Sequence, residues 1–387
     1  MIEKNITLFQ GFNIAYSTNN LESNFSGLSL ASIEQECTSL KKFFYGSGLL
    51  FYSDIIYQQM KSGQKVEIPL DFSLSLDSNV AERFRVWEGG GCLSGTDKQK
   101  MEKLIPFIKD SSFNFDYSFF ILENLLDSMD PNNYRPFDTI RALKRFDYLH
   151  YNKENFSIDQ PEFVENREKA GKRTIDTLYA FHNNNESQKT LDRRKIMYLM
   201  LLQALIFKPQ EELTLEEKIS SLVNFSLDTL GGFAKEELYF AWKFLKYGES
   251  LRFFDPVSQL SNKTINKVKG MSWDLFATRY QETLASMRRD NSKFFVPFFA
   301  SFDNRFVELT DACPIKCVVI DHMDKRVTII HLDEQEFQKD INHSISTEVQ
   351  KKLSNPEEKL KRMNNRPSSG FLDKEIAKLE SELKKYC

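Results

Sequence analysis

Residues 293–302, KFFVPFFASF, constrain the fold more than any other part of the chain. An apolar run this short and unbroken suits a strand buried on both faces, the kind found in parallel sheets covered by helices. The chain therefore reads as α/β. Residues 72–76, F-S-L-S-L, alternate and give a second strand. Asp77-Ser78-Asn79 follows at once and offers capping side chains to a helix over 80–87. Asp77 is thus expected at the C-terminal end of a strand, where a helix begins. Residues 315–320 and 326–332 read as two further strands, joined by a tight turn over 321–325 into a hairpin.

Before this core, residues 1–70 carry an alternating run over 6–16, a helix starting near Leu30, and a helix over 49–60 that stops at Ser62-Gly63. Residues 88–96 are glycine-rich. Gly90 and Gly95 have phosphate-loop spacing, but Thr96 stands where that loop needs Lys, so the segment reads as a plain flexible loop. Helices follow over 99–110 and 115–129, the second with a stripe of Phe119, Leu122, Leu125, Leu126 and Met129. From about 138 to 250 there is no strand signal; helices are expected over 138–150, 161–183, 188–207, 215–229 and 234–246. The organisation expected is an accessory segment over 1–70, a core in two parts over 71–137 and 263–345, a helical insertion over 138–262, and a charged tail over 346–387. The tail ends in a helix with Ile376, Leu379 and Leu383 on one stripe.

The net charge of −3 excludes a strongly basic, histone-like chain, although the last 37 residues carry +4 and the remainder −7. The longest apolar stretch, residues 196–207, contains Gln203 and is shorter than the roughly 20 residues of a membrane span. With no basic-then-apolar start, a secretory signal is not expected either. Five Cys, an odd number, do not make a disulfide framework. Cys313 and Cys317 are spaced like half a metal site whose other half is missing, so unpaired thiols in a reducing cytoplasm are expected. G-x-S-x-G, H-E-x-x-H and G-x-G-x-x-G are all absent, which disfavours hydrolases of the elbow type, zincins and dinucleotide binders.

Four carboxylates carry the functional reading. Asp77 ends an alternating strand and Asp303 ends the apolar one. Glu123 lies on the helix between them, with Asp116 and Asp127 as neighbours of similar claim. Asp274, in SWDLFATR, is read as opening a helix after Gly270. Strand C-termini gather along one edge of a parallel sheet, where α/β sites form. Carboxylates gathered there repel unless a hard cation such as Mg²⁺ or Mn²⁺ neutralises them.

The order resembles the PIN-like nuclease family. SLSLDSNV, FFILENLL, SWDLFATR and FFASFDNRFVEL look like its four acid-bearing motifs. The resemblance covers about 71–130 and 265–335. It implies a PIN-like core with a central, mostly parallel sheet flanked by helices, here carrying a large all-helical insertion. It also implies a metal-dependent endonuclease in which Asp77, Glu123, Asp274 and Asp303 are the catalytic and metal-binding residues for Mg²⁺ or Mn²⁺. Asn79, Arg279, Ser301 and Arg305 would then face the substrate. The family suggests RNA rather than DNA, and a toxin or defence effector is a role such a stand-alone nuclease would fit.

Two other readings compete. Arg145 and His150 have an Arg-x4-His spacing that resembles the HEPN ribonucleases, which need no metal. Alternatively the helical block and C-terminal helix form a non-catalytic module for a protein partner or inhibitor. Lys172, Arg173, Arg193, Arg194 and Lys195, interleaved with Tyr179 and Phe181, suit single-stranded nucleic acid or simply solvated helix faces.

Overall fold

The computed structural model describes residues 11–20, 27–111, 113–285, 294–323, 326–364 and 366–387. The chain is mixed α/β. Contacts divide it into two units, residues 1–184 with 280–332 and residues 185–279 with 333–387.

The first unit holds all the strands among the described residues: β1 (Phe12–Thr18), β2 (Gly27–Ser29), β3 (Leu40–Lys41), β4 (Gly48–Tyr52), β5 (Leu70–Leu76), β6 (Asn114–Asp116), β7 (Phe294–Ala300), β8 (Ile315–Asp321) and β9 (Arg326–His331). They form two sheets, a five-stranded one in the order β2-β4-β1-β8-β9 and a four-stranded one in the order β3-β7-β5-β6. The apolar run becomes β7, with every residue buried. It pairs in parallel with β5, from Leu70 against Phe294 to Leu76 against Ala300. On the other side β5 pairs in parallel with β6, while β3 closes the far edge antiparallel to β7.

Several expectations change here. Residues 49–52 are strand, pairing with β1 and β2; only Asp54–Lys61 is helical. A short apolar run does not reveal its own period, and flanking strands decided it. Residues 114–116 are also strand. The Asn114 amide donates to Asp71 Oδ1 at 2.8 Å and to the Phe72 carbonyl at 3.0 Å, which fixes the register of β6 beside β5. The N-terminal segment is not accessory, since β1 pairs with β8 and β3 with β7. The hairpin β8–β9 sits in the antiparallel sheet, not beside the parallel strands. Residues 6–10 of the alternating run, Lys293, and Asp324 and Lys325 of the turn lie outside the described residues.

The helices of this unit are α1 (Leu30–Glu36), α2 (Asp54–Lys61), α3 (Ser78–Glu88), α4 (Gly95–Asp110), α5 (Ser118–Glu123), α6 (Arg135–Asp147) and α7 (Arg167–His182). The first part of the expected insertion therefore packs with the sheets. Phe146 of α6 lies 4.8 Å from the Phe84 ring and 5.2 Å from Phe115. Trp87 Nε1 donates to the Ile158 carbonyl at 2.7 Å. Burying these aromatic faces draws α6 and α7 to the sheet unit.

The second unit holds α8 (Asn185–Phe207), α9 (Leu215–Asn224), α10 (Lys235–Tyr247) and most of α11 (Thr264–Ala285), whose residues from Tyr280 on belong to the first unit. After α12 (Arg305–Ala312) of the first unit come α13 (Glu334–Ser344), α14 (Thr347–Ser354), α15 (Pro356–Asn364) and α16 (Ser369–Leu383). The division thus falls at 184/185 and 279/280 where 137/138 and 262/263 were expected, and the tail joins the helical unit. Leu379 and Leu383 of α16 are buried, and Glu380 accepts from the Tyr198 hydroxyl of α8 at 2.8 Å. The stripe read as a possible partner site is packed within this unit. No described helix is long and apolar enough to cross a membrane.

Candidate active site at the strand ends

The parallel strands β7, β5 and β6 run the same way, so their C-terminal ends share one edge. Each ends near an aspartate: Asp303 just beyond β7, Asp77 at the end of β5, Asp116 in β6. Asp77 is tied to the neighbouring strand end, its N–H donating to the Ala300 carbonyl at 3.0 Å.

Ser301 organises this edge. Its hydroxyl donates to Asp77 Oδ2 at 2.6 Å, and its oxygen accepts from the Asp303 N–H at 3.1 Å. Asn79 donates to the same Asp77 oxygen at 2.5 Å, while its own oxygen accepts from the Phe302 N–H at 3.1 Å. Burial pushes the Asp77 carboxyl up to about 6, with the Asp303 charge adding to it and the Ser301 and Asn79 hydrogen bonds opposing it. Burial also works to raise Asp303, but Arg305 overcomes it and holds that carboxyl below the usual range. The Arg305 guanidinium gives Asp303 Oδ2 bonds of 2.9 and 2.7 Å.

Glu123, at the end of α5, accepts from the hydroxyl of Ser78, the residue after Asp77. Asp116 accepts from the Ser118 N–H at 2.8 Å, and burial followed by the Asp116 charge raises the Tyr280 hydroxyl. Cations border the edge. Lys100 of α4 donates to the Phe302 carbonyl at 3.1 Å and acts electrostatically on Asp303. Lys41 of β3 feels both burial and the Lys100 charge.

The structure therefore brings Asp77, Asp303, Glu123, Asn79, Ser301 and Arg305 into one unit. It gives Asn79 and Ser301 a different part from the one expected: they hold Asp77 in place. Asp274 and Arg279 belong to the other unit. Asp274 is mid-helix in α11 and not at a helix start, because Gly270 is carried inside the helix; an interior Gly costs only about 1 kcal/mol. Arg279 pairs with Glu237 at 3.4 Å. The carboxylates of Asp77, Glu123 and Asp303 do not all converge within 4.8 Å of one another.

Asp116 and Lys100 add to the site. Asp116, a neighbour of Glu123 with a similar claim in the sequence, ends strand β6 and not a helix turn. Lys100 carries no local signal, since only the folded sheet brings α4 to this edge.

The other sequence candidates are spoken for. Arg145 pairs with buried Glu88, donates to the Glu165 carbonyl at 2.8 Å and lies over the Phe163 ring at 4.5 Å. It is unavailable as a catalytic group beside His150. Residues 89–94 form a loop, with Gly90 at φ +74°. Cys313 and Cys317 are buried and form no disulfide among the described residues. Of the basic cluster, Lys172 pairs with Glu168, Arg173 with Glu165, and Lys195 with Asp373, while Arg194 lies over the Trp273 ring. The chain matches no family model, no curated protein and no solved structure.

Proposed function

We propose that the strand-end edge is the active site of a metal-dependent endonuclease with a PIN-like arrangement, acting on RNA or DNA. The observation that carries this reading is the Asp77 carboxyl, pushed up to about 6 by burial and by Asp303, yet held in one orientation by Ser301 and Asn79. A carboxylate kept in an unfavourable setting at a sheet edge is a feature of sites that take a cation.

The donor set suits a hard divalent ion, with carboxylate oxygens and no thiol or imidazole among the strand-end groups. Asp77 and Asp303 would hold it, and Glu123, since the three carboxylates do not all converge within 4.8 Å, would complete the shell through water. When bound, the ion supplies charge neutralisation and a water of lowered pKa. The protein's own groups do the rest. Ser301 and Asn79 fix the Asp77 oxygens. Lys100 and Arg305 offer positive charge to a scissile phosphate. Glu123 and Asp116 stand on the adjoining strand and helix ends as further proton or water partners. Asp274 has no part in this reading.

The test is cleavage of single-stranded RNA and DNA oligonucleotides by purified protein with Mn²⁺, Mg²⁺ or EDTA. Cleavage is expected only with metal, reduced at least ~100-fold in Asp77→Asn and Asp303→Asn, as for loss of a group holding a catalytic ion. Cleavage in EDTA, or full cleavage by both variants, removes the proposal.

A further inference from the structure

The helical unit carries an open-sided cavity of about 810 Å³, formed wholly within residues 185–279 and 333–387. That lies within the range of about 300–1,000 Å³ typical of small-molecule sites. Its floor is apolar, with Ile196, Leu230, Phe233, Ile341, Ile345 and Leu372. Five cations line it, Lys189, Arg193, Lys359, Arg362 and Arg366, against the single carboxylate of Asp192. Two of the five are engaged: Lys189 pairs with Glu186 at 2.6 Å, and Arg362 donates to the Lys352 carbonyl at 3.0 Å. Arg193, Lys359 and Arg366 have no side-chain hydrogen bond or ion pair among the described residues. Arg193 acts at longer range on the Glu186 carboxylate, which Lys189 already holds, so the cations outnumber the acids around an apolar floor and call for an anion with an apolar body.

One wall is braced. Helix α9 ends in a π-helical turn, Phe225–Thr229, a rare form that is frequent at functional sites. The hydroxyl of fully buried Ser226 donates to the Gly232 carbonyl at 2.6 Å and accepts from the Ala234 N–H at 3.0 Å. Gly231 supplies the positive φ of +70° that the turn needs. This bracing sets Phe233 and the Gly232 backbone against the cavity.

The excess of cations favours a multiply charged phosphate over a monocarboxylate, since guanidinium forks match phosphate oxygens in pairs. Gln338 and Asn342, one turn apart on α13, also line the cavity. The Gln338 Nε2 donates to Glu334 Oε1 at 2.9 Å, so its oxygen and the Asn342 amide are what can read the edge of a base, and they would gain nothing from an acyl tail. We propose that this cavity binds a free nucleotide, with its phosphates at Arg193, Lys359 and Arg366 and its base against Phe233. The site is independent of the strand-end carboxylates.

The test is calorimetric titration of the full chain carrying Asp77→Asn, in EDTA, with ATP, GTP, inorganic pyrophosphate and oleate. Using that variant without metal keeps the strand-end site out of the measurement, so this proposal and the nuclease reading fail separately. ATP or GTP is expected to bind at least tenfold more tightly than pyrophosphate. Adding Arg193→Ala with Arg366→Ala should weaken nucleotide binding at least tenfold. Phe233→Ala should weaken nucleotide but not pyrophosphate binding. Far-ultraviolet melting of each variant checks that the fold is kept, and Arg193→Lys should restore part of the affinity if the charge is what matters. No nucleotide binding, binding indifferent to the double variant, equal affinity for pyrophosphate, or preference for oleate would each overturn the proposal.

Discussion

The sheet unit and the helical unit gather like charges by different means. In the sheet unit the backbone does it. Three parallel strands end at one edge, so Asp77 and Asp303 act on one another whatever their separation in sequence, with Asp116 on the adjoining strand. Asp77 is also buried there, and burial, with a smaller push from the Asp303 charge, raises its carboxyl. In the helical unit long side chains do it. Lys189 and Arg193 come from α8, Lys359 and Arg362 from α15, and Arg366 from the loop beyond. Exposed cations on flexible stems meet water and salt, so they repel one another little. A charge cluster made by topology is therefore built into stability, whereas one made by side-chain reach is felt mainly by a ligand.

That contrast can be tested, and the largest effect should come from the packing beneath the carboxylates. Phe299 is fully buried, with rings of Phe306 at 4.8 Å, Phe119 at 5.3 Å and Phe43 at 6.2 Å. Phe299→Ala should cost about 3–5 kcal/mol in urea denaturation. A loss below about 1 kcal/mol would mean that this sheet does not rest on its aromatic layer.

A smaller effect comes from titration. The Asp77 carboxyl stands near 6 in the folded chain against an ordinary 3.8. The folded state therefore holds this proton more tightly, and stability falls as pH rises from about 4 through 6. The loss should be on the order of 2 kcal/mol, and Asp77→Asn should remove it. Without metal at neutral pH the variant is thus expected to melt higher than the parent chain. Mg²⁺ or Mn²⁺ should raise the melting temperature of the parent alone. Equal pH profiles for the two chains would show that the edge imposes no such penalty on the ionised Asp77.

The smallest effect is in the helical unit. Ser226→Ala removes both bonds that brace the 230–234 loop and should cost about 1–2 kcal/mol. The arginines of the cavity, by contrast, should change stability by less than about 0.5 kcal/mol when replaced by Ala. If Arg193→Ala or Arg366→Ala destabilises as much as Ser226→Ala, their charges serve packing and the contrast between the units fails.

Much of the sheet edge was legible. The strand-to-helix junction at Asp77 and the apolar strand before Asp303 were readable because alternation and burial on two faces leave short local patterns, although the Asp77 carboxylate makes no capping bond and accepts from Ser301 and Asn79 instead. Strand β6 was not, because Asn114–Asp116 is too short to show alternation and runs straight into the apolar stripe of α5. Asp274 was misplaced for a related reason: Gly270 looked like a helix stop, and only packing told that the helix continues through it. The basic cluster over 172–195 read as one feature, but folding divides it between the two units and pairs most of it with acids.

The sequence alone determined which segments bury themselves, where a strand hands over to a helix, and that Asp77 and Asp303 stand at such places. These are properties of neighbours along the chain. Tertiary structure alone decided that β6 lies beside β5, that Lys100 borders Asp303, and that five cations surround one apolar floor. Those depend on which distant surfaces cover one another, and burying an apolar face is non-directional: it demands a partner without naming it.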